Sequence, residues 1–212
     1  MTKLKEKFNI KESAAYIFVK NPVLVLGLVI GQLAAGCTNL QNGVALSVTY
    51  FFIAVPVLVF ASLFGKKIPG WLGVVAYAVL ATLMLVPSYF ISGTFSATIF
   101  DSLGIYPALL AVSTVPVAYS SKMAEKQNPV TALMNGICLA LGFAVTAIIL
   151  GGAREFFGNG SLWGFKIAEA VFPSVKLPFW GFILLGFMSA ILNWVKELVK
   201  KPEDAESGVE KA

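Results

Sequence analysis

The chain has 212 residues, 58% of them hydrophobic and only 13% charged, with a mean hydropathy of +0.82 and a formal net charge of +5. A soluble domain is about a quarter charged, so this composition identifies an integral membrane protein. With no histidine and only Cys37 and Cys138 as thiols, it excludes a disulfide scaffold, a self-contained zinc site and a histidine-based catalytic centre; the lysines form no stripe interleaved with aromatics, which argues against a nucleic-acid partner.

Residues 1–20, MTKLKEKFNIKESAAYIFVK, mix polar and apolar side chains without the continuous apolar run of a cleavable signal. They read as an amphipathic helix lying on the membrane surface. Six apolar segments follow, at 21–40, 43–65, 70–91, 103–119, 131–151 and 178–197. They form a single membrane domain over 21–198, joined by short loops except for 152–177. The tail, 199–212, is charged and poor in apolar residues, and is expected to be disordered.

Lysine and arginine placement sets the orientation. With the N-terminus in the cytoplasm, 13 of the 16 Lys and Arg lie inside and only Arg154, Lys166 and Lys176 lie outside. That split supports six spans with both termini cytoplasmic in a plasma (inner) membrane. Six spans divide into two three-helix sets of opposite orientation, which predicts an all-α fold of inverted repeats. The first span of each set is irregular: span 1 carries Gly27, Gly31 and Gly36, and span 4 carries Gly104, Pro107 and Pro116. Paired broken spans at corresponding places point to a site near the bilayer midplane. Asn-Pro-Val recurs at 21–23 and 128–130, but out of register with such a repeat.

Candidate chemistry is sparse. No Asp, Glu, Lys or Arg falls in the middle of a predicted span, so a carboxylate relay for ions is not visible in this chain. Cys37 and Cys138 could contribute to a cluster or a redox pair, or could pack as small apolar-tolerant residues, the reading favoured here. Gly27 and Gly31 form a GxxxG pattern that close helix packing explains without a ligand. The loop GGAREFFGNGSLWGF, 151–165, sets Arg154 and Glu155 at the end of span 5 and follows them with Gly158, Asn159 and Gly160, which accept sharp turns. Its aromatics would sit at headgroup level. It reads either as an interfacial turn or as a docking surface for a neighbouring subunit.

Three pieces carry a resemblance: Asn21-Pro22-Val23-Leu24-Val25 leading into the glycine-broken span, Ser102-Leu103-Gly104-Ile105 opening span 4, and Arg154-Glu155 with Gly158-Asn159-Gly160 closing span 5. The chain resembles the Rnf/Nqr membrane-subunit family (the RnfA/RnfE and NqrD/NqrE group), and the RnfE/NqrD type in particular, over about residues 14 to 198. The resemblance implies a pairing of two homologous six-span subunits of opposite orientation. It also implies a mid-membrane [2Fe–2S] cluster held by two cysteines from each. Its two ligand positions fall on Gly31 and Thr114 here, and neither can replace a thiolate. The family's Gly-Arg-Ala-Glu segment is also missing, with Ala118-Tyr119-Ser120-Ser121 in its place.

The resemblance therefore implies a subunit of an ion-translocating electron-transport complex that scaffolds its homologous partner. No cofactor is expected in this chain; [2Fe–2S] and flavin groups are expected only in partner subunits. The alternative is a non-redox transporter or channel-like protein on the same fold, with the Gly31 and Thr114 region as its site.

Overall fold

The computed structural model describes residues 21–25, 27–95, 102–113, 128–170 and 172–209. The proposed amphipathic arm 1–20 and residues 114–119 of the expected fourth span, Thr114 among them, lie outside these residues. The helices are α1 (Ile30–Gly36), α2 (Leu40–Phe64), α3 (Gly70–Leu83), α4 (Leu85–Phe95), α5 (Tyr106–Ala111), α6 (Pro129–Asn159) and α7 (Pro178–Val209). A two-stranded hairpin, β1 (Ser161–Leu162) with β2 (Phe165–Lys166), follows α6.

Among the described residues, four stretches are long and apolar enough to cross a membrane: Leu40–Lys67, Trp71–Ile91, Pro129–Asn159 and Pro178–Leu198. They answer to the expected spans 2, 3, 5 and 6. The third span is two helices, α3 and α4, because Pro87 has no N–H to donate to the carbonyl four residues back, at Leu83. At the C-terminus helix α7 runs to Val209, over most of the segment read from the sequence as a charged tail, Pro202 and Gly208 included.

The core is the antiparallel pair α2 and α6. Contact positions fall along one helix as they rise along the other: a Cβ added at Gly151 would meet Asn39, at Gly43 Ala147, and at Gly136 Val55. The absence of Cβ atoms lets the two backbones approach closely. Leu46, Tyr50, Ile53, Leu139, Phe143 and Leu150 fill the pair, with Tyr50 stacked on Phe143 at 4.3 Å. Asn39 caps α2, its side chain accepting from Asn42 N–H. Pro129 opens α6, where its missing N–H is harmless, and Gly160 ends it in a left-handed conformation.

One sequence echo becomes visible only in this pairing. Thr38-Asn-Leu-Gln-Asn-Gly-Val-Ala-Leu46 at the head of α2 matches Thr131-Ala-Leu-Met-Asn-Gly-Ile-Cys-Leu139 at the head of α6. Asn42 and Asn135, Gly43 and Gly136, and Leu46 and Leu139 are buried at matching places. Ala45 and Cys138 are both 8% exposed, so Cys138 stands where its counterpart is a small packing residue.

The glycine contacts give a direct test. A Cβ at Gly43 would stand 2.7 Å from Ala147 O and one at Gly151 2.6 Å from Asn39 O, whereas at Gly31 it would meet nothing within 4 Å. Gly43→Leu and Gly151→Leu should each cost about 1–3 kcal/mol or more, and Gly31→Ala should be neutral or stabilising by up to about 1 kcal/mol. Thermal unfolding in detergent, followed by dye labelling of the buried Cys37 and Cys138 thiols, reads this order.

Candidate functional site

The broken first span begins on α6. Asn21 is 1% exposed, and its Oδ1 accepts from the N–H groups of Val23 (2.9 Å) and Leu24 (3.0 Å), which starts a turn. Its Nδ2 donates to Gly142 O (2.9 Å) and Thr146 Oγ1 (3.2 Å), near the middle of α6. Pro22 is buried beside it. The chain then turns through Gly27 (φ 67°) and Val29 (φ 57°), both left-handed, before the seven residues of α1. For a β-branched residue this conformation is strained.

The other end of this segment is held by Arg154. Its side chain is fully buried, and every one of its five N–H donors meets a backbone carbonyl. Nη1 donates to Ala34 O (2.6 Å) and Cys37 O (2.8 Å) at the end of α1. Nε donates to Val175 O (3.1 Å), and Nη2 to Lys176 O (2.6 Å) and Leu177 O (3.3 Å), just before α7. The last carbonyls of a helix carry partial negative charge and lack partners within it. The guanidinium supplies both charge and donors, so charge-assisted hydrogen bonds offset the cost of burying it.

Glu155 faces the other way. Its Oε2 accepts from Leu40 N–H (2.9 Å) at the first turn of α2, where the helix favours an anion. Its Oε1 accepts from Ser161 Oγ (3.1 Å) and Gly164 N–H (2.8 Å) in the hairpin. The adjacent pair thus ties together the end of α1, the start of α2, the hairpin and the entry to α7. Arg154 and Glu155 are spent on internal bonds, so their side chains are not available to a docking surface, the second of the two readings of this loop. Gly158 is buried under the Lys176 side chain, Asn159 is exposed, and only Gly160 of the three supplies the left-handed turn.

These contacts correct the expected first span. Asn21 bonds at Gly142 and α1 ends at Arg154, twelve residues or about 18 Å further along α6. The segment from Asn21 to Cys37 therefore climbs a little over half of a hydrocarbon core about 30 Å thick. It is not one helix over 21–40, because its backbone turns at Gly27 and Val29. The short α5 lies alongside: Gly36 packs against Tyr106, and Ser102 Oγ donates to Asn42 Oδ1 (3.0 Å). Asn42 Nδ2 in turn donates to Thr38 Oγ1 (3.1 Å) and Gly36 O (3.4 Å). This places an Asn at the junction of both short segments.

A family model described as "Rnf-Nqr subunit, membrane protein" matches residues 9–189. The chain belongs to this family. It is 29% identical over 152 residues to the D subunit of a Na(+)-translocating NADH-quinone reductase from Psychromonas ingrahamii, covering 71% of this chain and 72% of the relative. It is 24% identical over 188 residues to the E subunit of a proton-translocating ferredoxin:NAD(+) oxidoreductase complex from Clostridium ljungdahlii, covering 87% and 88%. The E subunit of a Na(+)-translocating ferredoxin:NAD(+) oxidoreductase complex from Acetobacterium woodii is 25% identical over 181 residues, covering 84% and 92%.

The described residues do not fit the [2Fe–2S] group that the Rnf-Nqr resemblance implies. Gly31 is exposed, helical and without a side chain. Cys37 is fully buried, its thiol donating to Ala147 O (3.0 Å) and wedged where a Cβ at Gly43 or Gly151 would stand 3.0 Å from the sulfur. Cys138 lies nine residues from Ala147 on α6, about 13 Å away. The two thiols therefore cannot share an iron. Both act as packing residues, and Cys37 is the wedge between α2 and α6.

Arg154 and Glu155 stand out in the sequence as candidates, but their partners do not, and neither do Asn42 and Thr146. The available signal was an Asn followed by Gly near the head of α2 and of α6, at 42–43 and 135–136. Arg154→Ala takes the guanidinium donors from the buried carbonyls of Ala34, Cys37 and Val175 and should cost about 2–5 kcal/mol. Arg154→Lys, with three donors in place of five, should recover only part of it. In thermal unfolding, a low, non-denaturing concentration of guanidinium should partly restore the Ala variant and leave Gly43→Leu unchanged.

Proposed function

We propose that this chain is a membrane subunit of an Rnf/Nqr-like ion-translocating electron-transport complex. In it the chain scaffolds a homologous six-span partner of opposite orientation and supplies no cluster ligand of its own. The observation that carries this reading is the family match over residues 9–189, with relatives that are the D or E subunits of such complexes. Electrons would pass through [2Fe–2S] and flavin groups of partner subunits. The chain sits in the plasma (inner) membrane with both termini cytoplasmic, as the 13 to 3 division of Lys and Arg favours.

Two features support an architecture of inverted three-helix halves. The repeated segment from Thr38 and from Thr131 opens the central helix of each half. The contact of Gly43 with Ala147 also has a near counterpart in that of Gly136 with Val55: a displacement of 93 positions carries Gly43 to Gly136 and Ala147 to Ala54, the neighbour of Val55. A two-fold axis between antiparallel α2 and α6 would relate the two contacts to within one residue.

The exposed faces support a scaffolding role. The windows in α2 and α6 are 56% buried within the chain, against 22% for Trp71–Ile91 and 11% for Pro178–Leu198. Spans 3 and 6 therefore leave most of their surface to lipid and to partner subunits. Gly31, open to 4 Å, lies on a free surface where a partner's backbone can approach.

Affinity purification of the tagged chain from native membranes should retrieve a homologous six-span subunit with flavin- and iron–sulfur-bearing subunits. Gly31→Cys, labelled with a thiol-reactive photo-crosslinker, should cross-link to that six-span subunit on illumination. The chain purified alone should hold no stoichiometric iron or acid-labile sulfide. Iron in the pure chain would overturn the loss of ligands, and retrieval of transporter components alone would overturn the complex reading.

A further inference from the structure

We propose that the hairpin Ser161–Lys166 is a membrane-interface anchor, with the Trp163 ring seated among lipid headgroups at the C-terminal end of α6. The first observation is conformational. The two-residue turn consists of Trp163 (φ 57°) and Gly164 (φ 82°), both left-handed. Such a turn favours Asn, Asp or Gly at its first place. A bulky residue there is strained by about 1–2 kcal/mol. Glu155 closes the turn from inside, accepting from the backbone N–H groups of Trp163 and Gly164, but the ring itself remains 46% exposed. A side chain held against its backbone preference and turned outward points to a contact beyond the chain.

The second observation is what surrounds it. Phe165 is 73% exposed and Ile167 61%, so the turn and the returning strand carry three exposed large apolar side chains, Trp163, Phe165 and Ile167. Phe172, in the same loop, is also exposed. Exposed Lys166 lies among them, a cation on an apolar stem suited to phosphate groups.

Depth selects the occupant. The hairpin joins two of the stretches long enough to cross a membrane. Arg154 is ten residues, about 15 Å, from the midpoint of α6, which puts it at the edge of the hydrocarbon core. The hairpin follows immediately, at the level where Trp with Lys is enriched. It is also held rigidly. Glu155 fastens Ser161 and Gly164, and Gly160 O accepts from both Ile167 N–H and Ala168 N–H at 2.8 Å. Anchoring of the ring would thus fix the end of α6 and, through it, the Arg154 clamp.

The test uses the full chain with Trp71, Trp180 and Trp194 replaced by Phe, which leaves Trp163 as the sole tryptophan. It is reconstituted without partners in phosphatidylcholine vesicles whose acyl chains are brominated near the headgroup, with iodide on both faces as the aqueous quencher. Brominated lipid should lower the emission about twofold or more, and iodide by less than about a tenth. Strong iodide quenching with none from bromine overturns the proposal. Protection from both, which would place a second copy over the ring, overturns it as well. Should the triple background misfold, the difference spectrum between the unaltered chain and Trp163→Asn isolates the same emission. That difference must be quenched by bromine, and a difference quenched by iodide overturns the assignment.

Discussion

A charged group buried with only backbone for company organises this protein. Arg154 places five donors against five carbonyls from two separate chain ends, the close of α1 and the turn before α7. In a bilayer neither end could leave those carbonyls bare, since each unmet polar group costs several kcal/mol in hydrocarbon. The first segment can therefore end at Cys37 because a guanidinium meets its last carbonyls there. The requirement is mutual, because the guanidinium could not be buried without the broken ends. Glu155 extends the constraint by capping α2 from the neighbouring position, so two consecutive residues fix four elements.

The clamp works because the helix beneath it is rigid. Helices α2 and α6 meet through Gly43, Gly136 and Gly151, and the Cys37 sulfur fills the space left by two of those glycines. A thiol suits the place. It is small and tolerates apolar surroundings, and it can still give a weak hydrogen bond to the Ala147 carbonyl. This is why a cysteine six residues beyond Gly31 is no substitute for a ligand at that position. Its side chain is committed to the helix pair, on the side opposite to any open surface.

The architecture of a broken-helix membrane subunit is thus held by interactions that do not involve a cofactor. Asn21 fixes one end of the first segment at mid-helix on α6, Arg154 fixes the other, and Gly31 lies exposed between them. A surface stabilised in this way does not need a metal ligand to keep its shape. That is the physical ground on which the proposed scaffolding role can persist after the ligand positions have changed. The outward faces of α3 and α7 supply area for partners and lipid, while the core remains within α2 and α6.

The class, the four long apolar stretches, the places of irregularity and the importance of Arg154 with Glu155 were all legible in the residues alone. Each is a local property: hydropathy over twenty residues, glycine and proline positions, or a rare charge at the end of an apolar run. What those residues do depends on contacts between distant parts of the chain. Nothing local shows that Arg154 reaches back to Ala34, 120 positions earlier, that Asn21 meets Gly142 and shortens the first span to about half a bilayer, or that Cys37 is a wedge. The match between Thr38–Leu46 and Thr131–Leu139 was present in the sequence as well, yet it gained meaning only when α2 and α6 were seen to pair antiparallel. Hydropathy reports burial summed along a chain. A clamp made of backbone carbonyls leaves no trace in composition, because any residue can supply them.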